Sequence, residues 1–297
     1  MIEARAISKH FGNHQALKDV SFRVEDGEIV ALMGANGAGK STLFDILATI
    51  DPDFEGEAAV AGYDVRRRPV EARSLIGYVP GRFSLYGDLS VAENLAFFAE
   101  AYGCKACDIE TLSPFLWSSL TAFRDYRADT LSGGMKQKLS ICCALVHNPS
   151  VLLLDEPTVG VDPVSRYDMW KEIGELRKQG VSVLVSTHYL DEAGLADRIL
   201  FLHQGEKLLF ETPEHIKGSY SHRLYTLPCT TAELPQLEAA LTGMPGILDH
   251  YLWGDSLHIT ADAGYDGSPV CGHTPIPAEP GIEDVFIDTL SAGRGRL

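Results

Sequence analysis

The residues most able to do chemistry form one octapeptide, Gly34-Ala-Asn-Gly-Ala-Gly39-Lys40-Ser41. It fits the pattern G-x-x-x-x-G-K-[ST], and it lies between an apolar β-type run, Glu28 to Met33, and a helical pattern from Lys40 to Ala48. Glycines at these positions let backbone N–H groups wrap a polyphosphate, the helix that follows offers its positive N-terminus, and Lys40 adds a point charge. Gly34, Asn36, Gly37, Ala38, Gly39, Lys40, Ser41 and Thr42 are therefore the candidate phosphate-binding residues, with the Ser41 hydroxyl placed to ligate Mg²⁺. A second segment, Val151-Leu-Leu-Leu-Asp155-Glu156, is an apolar strand ending in two carboxylates. That arrangement delivers them to the carboxyl edge of a sheet, where α/β ligand sites lie. Asp155 is the candidate Mg²⁺ ligand, and Glu156 the candidate group facing a water. Paired acids at a strand end also suit a solvated turn, and the nearby phosphate loop decides against that reading.

A third motif, Leu131-Ser132-Gly133-Gly134-Met135-Lys136-Gln137, has no reason to occur in an ordinary phosphate-loop protein. It resembles the signature motif of the ATP-binding cassette (ABC) family. The resemblance implies ATP as nucleotide and Mg²⁺ as cofactor, and it assigns further residues. Phe11 matches the aromatic that stacks on adenine. Asp162, in Val159-Gly-Val-Asp162-Pro163, matches the loop that touches a partner subunit, and His188 matches the histidine that contacts the γ-phosphate. Family membership also implies a head-to-tail dimer, with nucleotide held between the phosphate loop of one cassette and Ser132, Gly133, Gly134 and Gln137 of the other. Catalysis would then rest on Glu156 as base, with Lys40 and His188 stabilising charge.

Within the family, Ile76-Gly-Tyr-Val-Pro80, Phe83-Ser-Leu-Tyr86, Leu131 to Lys138 and Ile282-Glu-Asp-Val-Phe286 resemble ATPase subunits of drug-efflux, daunorubicin-type exporters. The implied partners are a second cassette, identical or different, and a separate multi-span transmembrane permease. The implied location is the cytosolic face of the cell membrane. One position departs from the pattern. After Pro80 the family carries a glutamine that reaches Mg²⁺ and the attacking water, and here the residue is Gly81. The alternative function is therefore an ATP-binding regulatory cassette whose hydrolysis is slow.

The elements that must position these residues follow from periodicity. Strands are expected at Ile2 to Ile7 and Val20 to Val24, and a helix at Val91 to Tyr102, where Val91, Leu95, Phe98 and Tyr102 share one face. Helices and strands then alternate: Gly133 to Val146, Val151 to Asp155, Val164 to Lys178, Val181 to Ser186 and Leu190 to Ala196. Such alternation predicts a parallel α/β sheet. The fold expected from pattern and resemblance together is a P-loop NTPase cassette of the ABC type, with a parallel-sheet core, an antiparallel β subdomain and a helical insertion over about 82–135. Residues 1–217 would form it. Residues 218–297 read as a small α+β appendage: a strand near Arg223 to Leu227, a helix at Ala232 to Leu241, a hairpin turning at Gly254-Asp255, a Pro/Gly-rich loop from Ala263 to Pro280 and a last helix at Ile282 to Leu290.

Bulk properties exclude other classes. A formal net charge of -16 over 297 residues repels phosphodiester backbones, so no nucleic-acid partner is expected. The basic run Arg66 to Arg68 reads as a solvated turn. No apolar run reaches the ~20 residues of a spanning helix, and Met1 to His10 lacks the apolar core of a signal peptide, so a cytosolic chain is expected. In that reducing compartment Cys142 and Cys143 read as small buried hydrophobes. Cys104 and Cys107 form a lone C-x-x-C with no second pair. Turn and core roles are expected for His258, Cys271 and His273 ahead of metal binding.

Overall fold

The computed structural model describes residues 1–104 and 113–294. Cys107, of the Cys104–Cys107 pair, lies outside the described residues. The chain divides into two compact units, Met1–Pro213 and Glu214–Leu297. The division falls a few residues before the boundary read from sequence, because Pro213 opens a short helix that runs to Gly218.

The first unit is organised around β3 (Ile29–Met33), whose five residues are all buried. Buried on both faces, β3 reads as a continuous apolar run, as a central parallel strand must. It lies in a six-stranded sheet of order β10-β9-β3-β8-β7-β6. The parallel members are β6 (Ile76–Val79), β7 (Val151–Leu154), β8 (Ser182–Ser186) and β9 (Arg198–His203), and β10 (Glu206–Glu211) closes one edge antiparallel. The strands therefore present their carboxyl ends together, and β3 and β7 deliver Gly34 and Asp155 to one edge. Helix α1 (Lys40–Leu47) starts from that edge. A second sheet, order β2-β1-β4-β5, is antiparallel and built from β1 (Ile2–Phe11), β2 (His14–Val24), β4 (Glu55–Val60) and β5 (Tyr63–Asp64). Ile2, Ile7, Leu17 and Phe22 of this sheet share one buried cluster with Leu43, Phe44 and Leu47 of α1 and with Val30 and Leu200 of the central sheet. Burying each such side chain contributes about 1.5–3 kcal/mol, so α1 and the loop before it are clamped between two sheets.

The helical insertion contains α3 (Val91–Ala101), which follows a short α2 (Pro69–Arg73), and α4 (Pro114–Thr121). Ser90 caps α3 in a full capping box with Glu93. α5 (Gly133–Leu145) follows, then α6 (Pro163–Lys178) and α7 (Leu190–Ala193). The Arg66–Arg68 turn is more than a solvated bend. The Arg66 guanidinium lies 4.2 Å from the Phe54 ring centroid and donates to the Phe54 carbonyl at 2.9 Å, while Arg68 stands over Tyr63.

The second unit begins with the rest of α8 (Pro213–Gly218) and carries a four-stranded antiparallel sheet of order β12-β13-β11-β14. Its strands are β11 (Arg223–Pro228), β12 (Ile247–Trp253), β13 (Ser256–Ala261) and β14 (Ile276–Ala278). Trp253 pairs with Ser256 across Gly254-Asp255, as a two-residue hairpin requires. β14 corrects the reading of Ala263 to Pro280 as loop throughout: Thr226 and Tyr225 of β11 pair with Ile276 and Pro277. Proline is tolerated there because β14 is an edge strand. Leu237 and Leu241 of α9 (Leu234–Leu241) bury against Leu227, Leu257 and Ile259, and α10 (Ile282–Arg294) ends the unit. Among the described residues no helix is long and apolar enough to cross a membrane.

Candidate functional site

The loop between β3 and α1 depends on two glycines for contact reasons. A Cβ on Gly34 would meet the Leu202 carbonyl oxygen at 2.4 Å, and one on Gly39 would meet that of Ala16 at 2.5 Å. Gly39, with φ 100°, also adopts a conformation that L side chains rarely take. The backbone can therefore curl tightly only with glycine at these points. The curl borders a cavity of about 280 Å³ lined by Phe11, His14, Ala16, Asn36, Gly37, Gly39, Lys40, Ser41, Thr42 and Glu156.

Lys40 is only 5% exposed and donates from Nζ to the carbonyls of Gly34 at 2.8 Å and Ala35 at 3.3 Å. Burial holds its pKa below the usual lysine value, and the Glu156 carboxylate, 3.6 Å away, opposes that shift. Asp155, also 5% exposed, accepts from Ser41 Oγ at 2.9 Å on one oxygen and from Ser186 Oγ at 2.7 Å on the other. Asp155 and Glu156 are neighbours in sequence, but their carboxylates face different partners. Glu156 adopts φ 52°, a left-handed conformation that costs a non-glycine residue of order 1–2 kcal/mol. Its N–H donates to Ser186 Oγ at 2.7 Å, and its Oε1 lies 2.6 Å from His188 Nε2. Strand β7 thus ends in one carboxylate facing the Ser41 hydroxyl and one facing Lys40 and His188.

Ser41 and Asp155 suit a small divalent cation. They supply hard oxygen donors side by side, few enough that a Mg²⁺ ion would keep most of its coordination for water and phosphate. Among the described residues there is no cluster of three or more His, Cys, Asp or Glu that would form an all-protein metal cage. Cys271 is exposed, His258 is held by Asp284, and His273 lies 3.5 Å from Glu233.

Phe11 is 52% exposed at the cavity mouth. The Lys9 ammonium, paired with Asp51 at 2.8 Å, lies 4.9 Å from the Phe11 ring centroid. The ring is therefore backed by a cation, which reinforces an aromatic platform. Ser132, Gly133, Gly134, Gln137 and Asp162 are not among the residues lining the cavity. Ser132 caps α5 by accepting from the Met135 N–H at 3.4 Å, and Asp162 caps α6 by accepting from the Ser165 N–H at 2.9 Å. The two segments are neighbours: a Cβ on Gly133 would lie 3.6 Å from the Gly160 carbonyl oxygen. One chain thus brings the phosphate loop, both carboxylates and His188 together, while the Ser132 and Asp162 segments lie against each other.

At Gly81 a Cβ would stand 3.3 Å from the Asp155 carbonyl oxygen and 3.6 Å from Asp155 Oδ2, and the backbone is outside the left-handed region. A side chain at this position would start beside the Asp155 carboxylate without backbone strain. Three contributors escaped the sequence reading. His14 and Ala16 line the cavity only because β1 and β2 form a hairpin, and Ser186 bridges both acidic residues from an adjacent strand; none belongs to a motif.

Residues 17–159 match the ABC transporter family. The chain is 40% identical over 220 residues to the probable multidrug ABC transporter ATP-binding protein YbhF of Escherichia coli (strain K12), a match covering 73% of this chain but only 38% of that longer protein. It is 35% identical over 276 residues to the doxorubicin resistance ATP-binding protein DrrA of Mycobacterium tuberculosis, covering 88% of this chain and 81% of that one. Among solved structures, the dimeric post-hydrolysis state of the ATP-binding cassette MJ0796 bound to ADP and Pi superposes with a TM-score of 0.64 at 27% identity, covering 71% of this chain and 98% of that one.

Proposed function

Because this chain belongs to the ABC transporter family, we propose that it is an ATP-binding and ATP-hydrolysing subunit that energises export through a separate multi-span permease. The observation that carries the proposal is the pairing around Glu156. Its Oε1 lies 2.6 Å from His188 Nε2 and 3.6 Å from Lys40 Nζ, beside a cavity bordered by the phosphate loop. ATP enters with its base on Phe11 and its phosphates wrapped by the N–H groups of 34–42, which also face the positive end of α1. Lys40 then turns from the Gly34 and Ala35 carbonyls to the phosphates. Ser41 and Asp155 would hold Mg²⁺, which when bound neutralises phosphate charge. Glu156 takes the proton of the attacking water, and His188 steadies the charge that develops on the γ-phosphate. Water adds to the γ-phosphorus, the bond to the β-bridging oxygen breaks, and ADP and phosphate leave.

In this reading two cassettes meet head to tail, and Ser132, Gly133, Gly134 and Gln137 of one complete the nucleotide site of the other. The helix N-terminus they form and the dimeric cassette among the similar solved structures support that arrangement. The complex works at the cytosolic face of a membrane, and the relatives named for drug resistance favour a drug-like cargo.

Gly81 favours a second reading, an ATP-binding regulatory cassette with slow hydrolysis, because glycine puts no side chain into the space beside Asp155. Steady-state ATPase assays of the purified chain and of Glu156→Gln separate the two. Turnover that falls by about 10²–10⁴ in the variant supports the enzyme. Equal, negligible turnover in both, with ATP still bound, leaves the regulatory reading.

A further inference from the structure

Glu192 is a buried carboxylate that the proposed chemistry does not use. It belongs to α7, is 4% exposed, and does not line the cavity. One oxygen, Oε2, accepts two hydrogen bonds, from Thr158 Oγ1 at 2.9 Å and from Thr187 Oγ1 at 2.6 Å. The other, Oε1, faces Arg166 Nη1 at 3.6 Å, and neither of these two atoms has a hydrogen bond. Each partner belongs to a different part of the site. Thr187 immediately precedes His188, and its hydroxyl also accepts from the Tyr189 N–H at 3.0 Å, so one oxygen staples the backbone on both sides of the histidine. Thr158 lies in the turn that follows Glu156. Arg166 is one helical turn beyond Asp162, its N–H donating to the Asp162 carbonyl at 2.9 Å, and its guanidinium lies 4.1 Å from the Tyr189 ring centroid.

Burying a carboxylate costs desolvation, which here two threonine hydrogen bonds and the nearby Arg166 offset. What the carboxylate orders here is legible in the contacts. The hydroxyl of Thr187 donates to Glu192 and accepts from Tyr189, which leaves the intervening His188 little freedom to turn away from Glu156. The same carboxylate reaches, through Arg166, the helix that Asp162 caps.

We propose that Glu192 is the positioning residue of this site: it holds His188 on Glu156 and ties that pair to the Asp162 helix. The proposal rests on the ATPase reading given above. Arg166 and Glu192 stand just beyond hydrogen-bonding distance, so a small shift of α6 would close or open the pair. Contact of the Asp162 loop with a second cassette would in this way be passed to the histidine.

The test uses the full chain, with two readouts for Glu192→Ala. One is steady-state ATPase alongside equilibrium ATP binding. The other is ¹⁵N NMR of the His188 ring, assigned with His188→Ala. The expected result is a kcat lower by about 10²-fold, as for loss of one transition-state contact, with the ATP Kd changed by less than about two-fold. The His188 ring signals shift or broaden. Glu192→Gln keeps an oxygen for both threonines and should restore the His188 signals and much of kcat. If Glu192→Ala does not fold, Thr187→Val decides, since it removes the staple beside His188 and leaves the buried Arg166–Glu192 pair in place. Wild-type kcat, or a lowered kcat with wild-type His188 signals, overturns the proposal. A wild-type chain that hydrolyses no ATP sinks the ATPase reading instead, and the His188 signals then still report on the positioning role.

Discussion

Among the described residues each unit buries one aspartate, and the two are used in opposite ways. Asp155 in the first unit is 5% exposed, and its partners are two aliphatic hydroxyls, Ser41 and Ser186. Asp284 in the second is 1% exposed. It accepts from the Tyr251 hydroxyl, from His258 Nδ1 at 2.7 Å and from the Gly281 N–H at 2.6 Å. Burial and the Asp284 charge push the Tyr251 phenol pKa upward, so Tyr251 stays a donor. Hydroxyls can rotate and exchange a carboxylate for a cation or water, whereas an imidazole, a phenol and a backbone amide fill Asp284 with protein groups. Depth of burial alone therefore does not mark a site. What separates the two is whether the partners can let go, and whether Lys40, Glu156 and His188 stand alongside.

The sharpest way to break that contrast is to remove the cation on the first side. Lys40→Ala should weaken MgATP binding by about 10²–10³-fold, because truncating one member of a buried charge pair typically costs 2–5 kcal/mol. Isothermal titration measures it, and near-unchanged affinity would remove the phosphate-loop assignment. On the second side, Asp284→Asn should leave the ATP Kd as in wild type and destabilise the chain by about 2–3 kcal/mol, since it disrupts a buried hydrogen-bonded carboxylate network. Urea denaturation followed by Trp fluorescence reports the loss. An Asp284→Asn protein of full stability that fails to bind ATP would erase the distinction between the two aspartates.

The smallest effect concerns the gap beside Asp155. Gly81→Gln should raise kcat about ten-fold with little change in nucleotide Kd, because a glutamine whose Cβ starts 3.6 Å from Asp155 Oδ2 can bring its carboxamide to orient water and approach the cation. Its Cβ would press on the Asp155 carbonyl oxygen at 3.3 Å, a contact that a few tenths of an ångström relieves. Thermal unfolding of both proteins accompanies the kinetics. Equal kcat in equally stable proteins would mean that this loop does not limit turnover.

The parts of the site legible in the sequence are contiguous. Gly34 to Thr42 can be read because backbone curvature, amide donors and one lysine are all specified within nine neighbouring residues. Asp155 and Glu156 can be read because an apolar run announces the strand that ends in them. Ser186, His14 and Glu192 could not be read this way. Ser186 meets Asp155 across 31 positions and Glu192 meets Thr158 across 34, and each is an ordinary residue until the parallel strands align. The strand at Ile276–Ala278 was hidden for a related reason: its Pro/Gly-rich surroundings favour loop, and only pairing with β11 makes it a strand.

The sequence by itself determined the alternation of helices and strands from Gly133 to Ala196, the phosphate loop and the residues that can bind, ionise or donate, because those follow from local propensity and side-chain type. Tertiary structure alone decided where they point. Closing β7 against β8 sets the Glu156 N–H on Ser186 and holds Glu156 at φ 52°, which directs its carboxylate to Lys40 and His188 and away from Asp155. It also decided that Gly81 has an ordinary backbone beside Asp155. Strain of this kind persists only where long-range packing over-determines it, so no local run of residues encodes it.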